Sequence, residues 1–134
     1  MKLPSPGKVL WFGTYPGHLY PLSRPRFAKG HAYQPLKNQQ EFRKWLKSEN
    51  PDVPWTQDLW IEAFFCFKTK KLADIDNLAK AVLDGLQAAR FLVNDKMVCG
   101  ATFARMHGAS HPSATILIRE VEFYDTEALP DPGS

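Results

Sequence analysis

Four side chains in the middle of the sequence, Asp74, Asp76, Lys80 and Asp95, have the types and spacing that phosphodiester chemistry uses. Asp74 precedes Asp76 by two residues, so an extended segment entering a helix would point both carboxylates to one side. At about 100° per residue, Asp76, Lys80, Asp84 and Gln87 fall within an arc of roughly 80°, with Leu78, Val82, Leu86 and Ala89 opposite. Asp95 follows Phe91-Leu92-Val93-Asn94, a length that allows the chain to return antiparallel beside the helix and close a three-carboxylate cluster. Mutually repelling carboxylates are poorly held together without a cation. Mg²⁺ resolves that conflict: it takes oxygen ligands octahedrally and leaves positions for a phosphate oxygen and an attacking water. Lys80, one turn after Asp76, would offset the charge that builds on a phosphorane-like transition state.

The same residues have a plainer reading. An Asp, Lys, Asp stripe on an amphipathic helix is ordinarily a solvated face. Asp74 and Asp76 would also serve as an N-cap and a first-turn acid facing the helix dipole. Asp84, about 12 Å along the axis from Asp76, reads as structural. His107 and His111 are four apart, but Gly108 and Pro112 make that stretch a loop rather than a metal-binding helix face. Trp11, Trp45, Phe64 and Phe65 read as core or dimer contacts in preference to base-stacking platforms.

The elements that must position these groups follow from patterning. Lys8 to Tyr15 is apolar and aromatic and stops at Pro16-Gly17, a first strand. The proline-rich, basic stretch from Pro16 to Pro35 reads as a long, partly extended loop. Leu36 to Asn50 sets Phe42, Trp45, Leu46 and Gln39 on one helical side, and Pro51 and Pro54 end it. Leu59 to Lys68 runs through Trp, Ile, Phe and Cys as a buried central strand would. Asp76 to Arg90 is the clearest helix. Met97 to Met106 and Thr115 to Phe123 read as strands joined by a hairpin through His107 to Ser113, with Leu117, Val121 and Phe123 on one face and Arg119 interrupting the alternation. The expectation is an α/β (α+β) domain, residues 1–126, with a mixed four-stranded sheet and two main helices. Residues 127–134 read as a frayed tail.

A chain of 134 residues with 44% hydrophobic and 23% charged content fits one globular domain. Its formal charge of +3 permits a polyanionic partner without demanding one. The distribution says more. Arg24, Arg26, Lys29, Lys37, Arg43, Lys44 and Lys47 crowd the first fifty residues, where Glu41 and Glu49 are the only acids, so this stretch could face phosphate. Two cysteines without CxxC spacing exclude a disulfide framework or zinc site and suit a reducing cytoplasm. No apolar run approaches the roughly 18 to 20 residues of a membrane span, and no signal-peptide region follows Met1, so no membrane partner is expected.

The string Asp74-Ile75-Asp76-Asn77-Leu78-Ala79-Lys80-Ala81-Val82-Leu83-Asp84-Gly85-Leu86, with Asn94-Asp95 after a short gap, resembles the central signature of RusA-family Holliday junction resolvases. Pro21-Leu22-Ser23-Arg24-Pro25-Arg26 resembles the family's basic P-x-S-x-P-R element, and Tyr33-Gln34-Pro35 extends the likeness. The resemblance implies that Asp74, Asp76 and Asp95 are metal-binding catalytic aspartates and Lys80 the catalytic lysine. It also implies Mg²⁺ as cofactor, with Mn²⁺ able to substitute, and four-way DNA junctions in a bacterial or phage-infected cell as the setting. This chain departs from the pattern at Asn94, where an acid is usual, and at Ala73, where a basic residue or proline is common. Lys68, Lys70 and Lys71 would then stand in for DNA contacts beside Arg24 and Arg26. A junction is two-fold symmetric and one chain carries one acid cluster, so a homodimer is expected. The rivals are a structure-selective nuclease on other branched DNA and a non-catalytic branched-DNA-binding protein.

Overall fold

The computed structural model describes residues 1–21, 26–28, 31–33, 37–70 and 74–128. In chain order the elements are β1 (Lys2–Tyr15), β2 (Arg26–Ala28), β3 (His31–Tyr33), α1 (Lys37–Glu49), β4 (Leu59–Phe67), α2 (Ile75–Ala88), β5 (Val98–His107) and β6 (Ser113–Asp125). Short 3₁₀ turns at Asp95–Met97 and Thr126–Ala128 lead into β5 and out of β6. The main sheet runs β1-β6-β4-β5, with β4 and β5 parallel and the other neighbours antiparallel. This is the mixed four-stranded sheet with two helices that the patterning predicts.

β4 takes a central place because every second residue, Leu59, Ile61, Ala63, Phe65 and Phe67, is buried. Facing it, Ala114, Ile116 and Ile118 of β6 are buried too, and both helices close over them. On α2 the inward positions are Leu78, Ala81, Val82, Gly85 and Leu86, matching the face expected from periodicity. α1 contributes Phe42 and Leu46, with Trp45 packed at the margin. The two helices approach closely at Gly85, where a Cβ would meet the Phe42 ring at 2.9 Å and Leu46 at 3.0 Å. Gln39 is only 4% exposed and uses its amide to donate to the carbonyls of Tyr20 and Pro21, at 2.9 and 3.0 Å. A buried amide so satisfied costs little, and it fixes where the basic segment beyond Pro21 leaves the domain.

Several expectations are corrected. β5 and β6 form no hairpin: β4 lies between them, and the loop from His107 to Ser113 carries the chain across it. The reason is the β4-α2-β5 crossover. A helix packed on the sheet returns the chain to the start of β4, so β5 enters parallel to it. The segment read as a loop contains a short antiparallel pair, with Arg26 opposite Tyr33 and Ala28 opposite His31. β1 starts at Lys2, and its early part holds Pro4 and Pro6, tolerated because β1 is an edge strand with no ladder to serve on its outer side.

β4 is also buried on one face only. Trp60, Glu62, Phe64 and Cys66 lie on the side away from the helices and remain partly exposed. Leu117, Val121 and Phe123 share that outer side of β6 rather than the core side. Arg119, the break in their alternation, forms an ion pair with Glu62 and donates from Nη1 to the Gly7 carbonyl at 3.0 Å. Of the tail, Thr126 ties back to Met1, its N–H donating to that carbonyl at 3.0 Å. The remainder, 129–134, lies outside the described residues.

Candidate functional site

Asp74 is the N-cap residue of α2, with φ −63° and ψ 135°. That extended conformation is the usual one for an N-cap, and the Asp74 carbonyl accepts from Leu78 N–H at 3.1 Å. Its side chain makes no capping hydrogen bond. The exposed carboxylate is therefore not spent on the helix end, which removes the plainer of its two readings. Asp76 is exposed in the first turn and Lys80 is exposed one turn on, on the same solvent side, while Leu78 between them is buried. The extended cap and the helical period together put two carboxylates and an ammonium at one end of α2.

Other cations gather at this end. Lys68 and Lys70 are exposed just past β4, on the segment that leads to Asp74. The Ala109 N–H donates to the Phe67 carbonyl at 3.1 Å, which brings the exposed His107 to His111 loop to the same sheet end. His18 stacks near Phe67 at 5.1 Å and near Tyr20 at 4.5 Å, and this partial burial pushes its imidazole below the usual histidine range. The chain leaves from here, at Pro21, toward the P-x-S-x-P-R element. Arg24 and Lys71 lie outside the described residues, as does the side chain of Arg26.

Asp95 is elsewhere. α2 rises about 21 Å over its 14 residues. Its far end is fastened to the segment before β4: Asn50 Nδ2 donates to Ala89 O at 2.7 Å, and Trp55 N–H to Phe91 O at 3.0 Å. Arg90 adopts a left-handed conformation, φ 63°, and Phe91 N–H closes on Leu86 O at 2.9 Å, which turns the chain sharply off the helix. Asp95 follows between Leu92, bridged to Trp55, and Val98, paired with Leu59. The segment after α2 is thus pinned at the start of β4 and does not run back along the helix. Among the described residues, no group of three or more His, Cys, Asp or Glu is placed to hold a metal ion. The single-chain cluster expected from the sequence is not closed: Asp74 and Asp76 stand at one end of α2 and the exposed Asp95 beyond the other.

Asn94, where an acid is usual in the resembling family, caps the 3₁₀ turn, its Oδ1 accepting from Lys96 N–H at 2.9 Å. Asp84 is exposed and lines a shallow hollow with Arg43, Gln87 and Ala88. A neighbouring hollow between α1 and α2 is lined by Gln40, Arg43, Lys44, Lys47, Ala88 and Ala89. Its three cations are visible in the sequence as part of the basic crowding, but only the helix packing shows that they share one groove. Lys44 lies 4.0 Å from Glu41, and with both side chains largely exposed that contact leaves its charge available.

An exposed pair of aspartates and a lysine at the mouth of a mixed sheet, flanked by cations, define a protein equipped to act on a phosphate-bearing polymer. The family comparison makes this specific. Residues 16–119 match the family Endodeoxyribonuclease RusA. The match covers well over half of the chain, which belongs to the RusA family of Holliday junction endodeoxyribonucleases. No individual curated protein matches it. The match takes in α1, β4, α2 and β5 whole, and leaves out β1 and the last part of β6.

Proposed function

We propose that the chain works as a homodimeric, Mg²⁺-dependent endodeoxyribonuclease that resolves four-way DNA junctions by paired, symmetric nicks. The observation that carries this reading is Asp74, a helix-capping aspartate whose carboxylate is left uncommitted beside Asp76 and Lys80. Hard carboxylate oxygens suit Mg²⁺, which Asp74 and Asp76 would hold; Mn²⁺ would substitute. When bound, the ion would polarise a phosphate and activate a water. Lys80 offsets negative charge on the attacked phosphate through its ammonium. Lys68, Lys70 and Lys71, with Arg24 and Arg26, hold the DNA backbone at that end of the sheet.

The position of Asp95 adds a requirement. Within one chain about 21 Å of helix separates it from the other two acids. In this reading the third carboxylate comes from Asp95 of the partner subunit, so each dimer carries two sites that neither chain completes alone. The test is incubation of the protein with a synthetic four-way junction and a matched linear duplex, with Mg²⁺ or with chelator. Paired nicks at symmetric positions, in the junction and only with Mg²⁺, are expected. Equal cutting of both DNAs would remove the resolvase assignment, and binding without any cutting would favour a non-catalytic role.

A further inference from the structure

The side of the sheet away from the helices has no cover in this chain. Register places Trp60, Glu62, Phe64 and Cys66 of β4 there, opposite Arg119, Leu117, Thr115 and Ser113 of β6. β5 adds Gly100, Thr102, Ala104 and Met106, and β1 adds Pro4, Pro6, Val9, Phe12 and Thr14. Phe12 is 69% exposed, Phe123 52% and Met106 50%. None of these outward residues belongs to the hydrophobic core. Trp60 lies flat over β5, where a Cβ at Gly100 would sit 2.1 Å from its ring. A smooth, broad apolar surface results.

From this face we infer that a second copy of the chain docks sheet to sheet, each copy covering the other's outer side. Charge selects this occupant. Among these outward positions the face carries two charged side chains, Glu62 and Arg119, and they neutralise each other within the chain. A nucleic acid or a strongly charged protein would find nothing there to hold, whereas an identical neutral face is its own complement across a two-fold axis. Size agrees as well. Nine residues of β4 span about 30 Å and four strands about 19 Å, and the β1–β6 ribbon that projects beyond Leu59 brings the flat area to about 700 Å². Side-chain relief carries that to the roughly 800 Å² per partner of a stable interface.

Such docking rests on the proposed function only in giving its dimer an interface, and it is tested without DNA. Phe12→Glu and Met106→Glu place a carboxylate at opposite edges of the face, and Val93→Glu does the same at an exposed position off it. By sedimentation velocity the wild type should be dimeric, with either face variant raising the dissociation constant by at least about a hundredfold and Val93→Glu leaving it unchanged. Thermal melts check that the variants are folded. A second measurement needs no variant: on dilution of the wild type, alkylation of Cys66, on the face, should speed up while that of Cys99, off it, stays constant. A wild type that is monomeric at every concentration, face variants as dimeric as the wild type, or a Cys66 rate indifferent to dilution would each overturn the inference. A dimer of this form that leaves junctions uncut would sink the nuclease reading alone.

Discussion

Asp74→Asn and Asp95→Asn should each abolish cutting, yet a heterodimer of the two should cut. The distances within one chain require it. Two carboxylates that share one Mg²⁺ place their oxygens about 2.1 Å from it and so lie within about 5 Å of each other. Asp74 and Asp95 of one chain have the 14 residues of α2 between them, about 21 Å of rise. Closing that gap within a chain would mean unwinding most of α2 or stripping Val98 from its pairing with Leu59. Either would expose core residues such as Leu78, Val82 and Leu86, at about 2–5 kcal/mol for each large side chain taken out of the core. If the third acid comes instead from the partner, the heterodimer has one site with both substitutions and one with neither.

Co-expression of the two variants under different affinity tags allows the mixed dimer to be purified free of both parents. Its intact sites number about half those of the wild type, and they can cut only one of the two strands. A cruciform plasmid should therefore yield nicked circles with little linear product. Mn²⁺ binding followed by electron spin resonance should show about half the wild-type stoichiometry in the mixed dimer and a sharp loss in either parent. A mixed dimer as inactive, and as poor in Mn²⁺, as its parents would refute the reasoning and put Asp95 with the Asp74 of its own chain.

Three further outcomes are expected. Replacing Arg43, Lys44 or Lys47 with Ala should weaken binding to junctions of any sequence alike and reduce the slope of log affinity against log salt by about 0.9 for each phosphate no longer neutralised, as read by fluorescence anisotropy. Arg119→Met should destabilise by about 1–3 kcal/mol in urea, because it leaves Glu62 half-buried without its partner, and Glu62→Leu in the same chain should recover much of the loss. The burial that lowers the His18 pKa means that the unfolded chain binds the proton more readily. Its contribution is full above the ordinary histidine value of about 6.5 and is lost as pH falls through the lower folded value. Urea midpoints at pH 7 and pH 5 should differ less in His18→Phe than in the wild type.

What the sequence made legible was whatever depends on near neighbours. The 3.6-residue period placed Leu78, Val82 and Leu86 on the core side of α2 and Asp76 and Lys80 opposite, and the same logic buried Gln39 with Phe42 and Leu46 on α1. Strand order is a different kind of fact. The apolar character of β5 and β6 suggests two strands but not that β4 separates them, since a hairpin and a crossover leave the same local pattern. Nor could the number of residues between Ala89 and Asp95 decide the course of the segment. Its length permits a return beside the helix, and the bonds from Asn50 and Trp55, remote in sequence, forbid it. Asp74 shows the reverse case: a sequence reading leaves cap and ligand equally open, and one missing side-chain hydrogen bond separates them.

The two features that local patterning could not supply point the same way. Asp95 is stranded about one helix length from the acids it would join, and the sheet exposes Phe12, Phe123 and Met106 on a side that no element of the chain covers. Taken singly, a distant acid could be an unrelated surface charge and an apolar sheet face a tolerated exposure. Taken together they constrain one arrangement. If two sheets stack with their β4 strands antiparallel, the start of β4 in one copy lies over the end of β4 in the other. Asp95 marks the first of these ends and Asp74 the second. The packing that would hide the outer face thus also brings opposite ends of α2 from two chains to the same end of the dimer. A dimer built with parallel strands would hide the face equally well and leave the acids apart, so the heterodimer experiment also reads the direction in which the sheets cross.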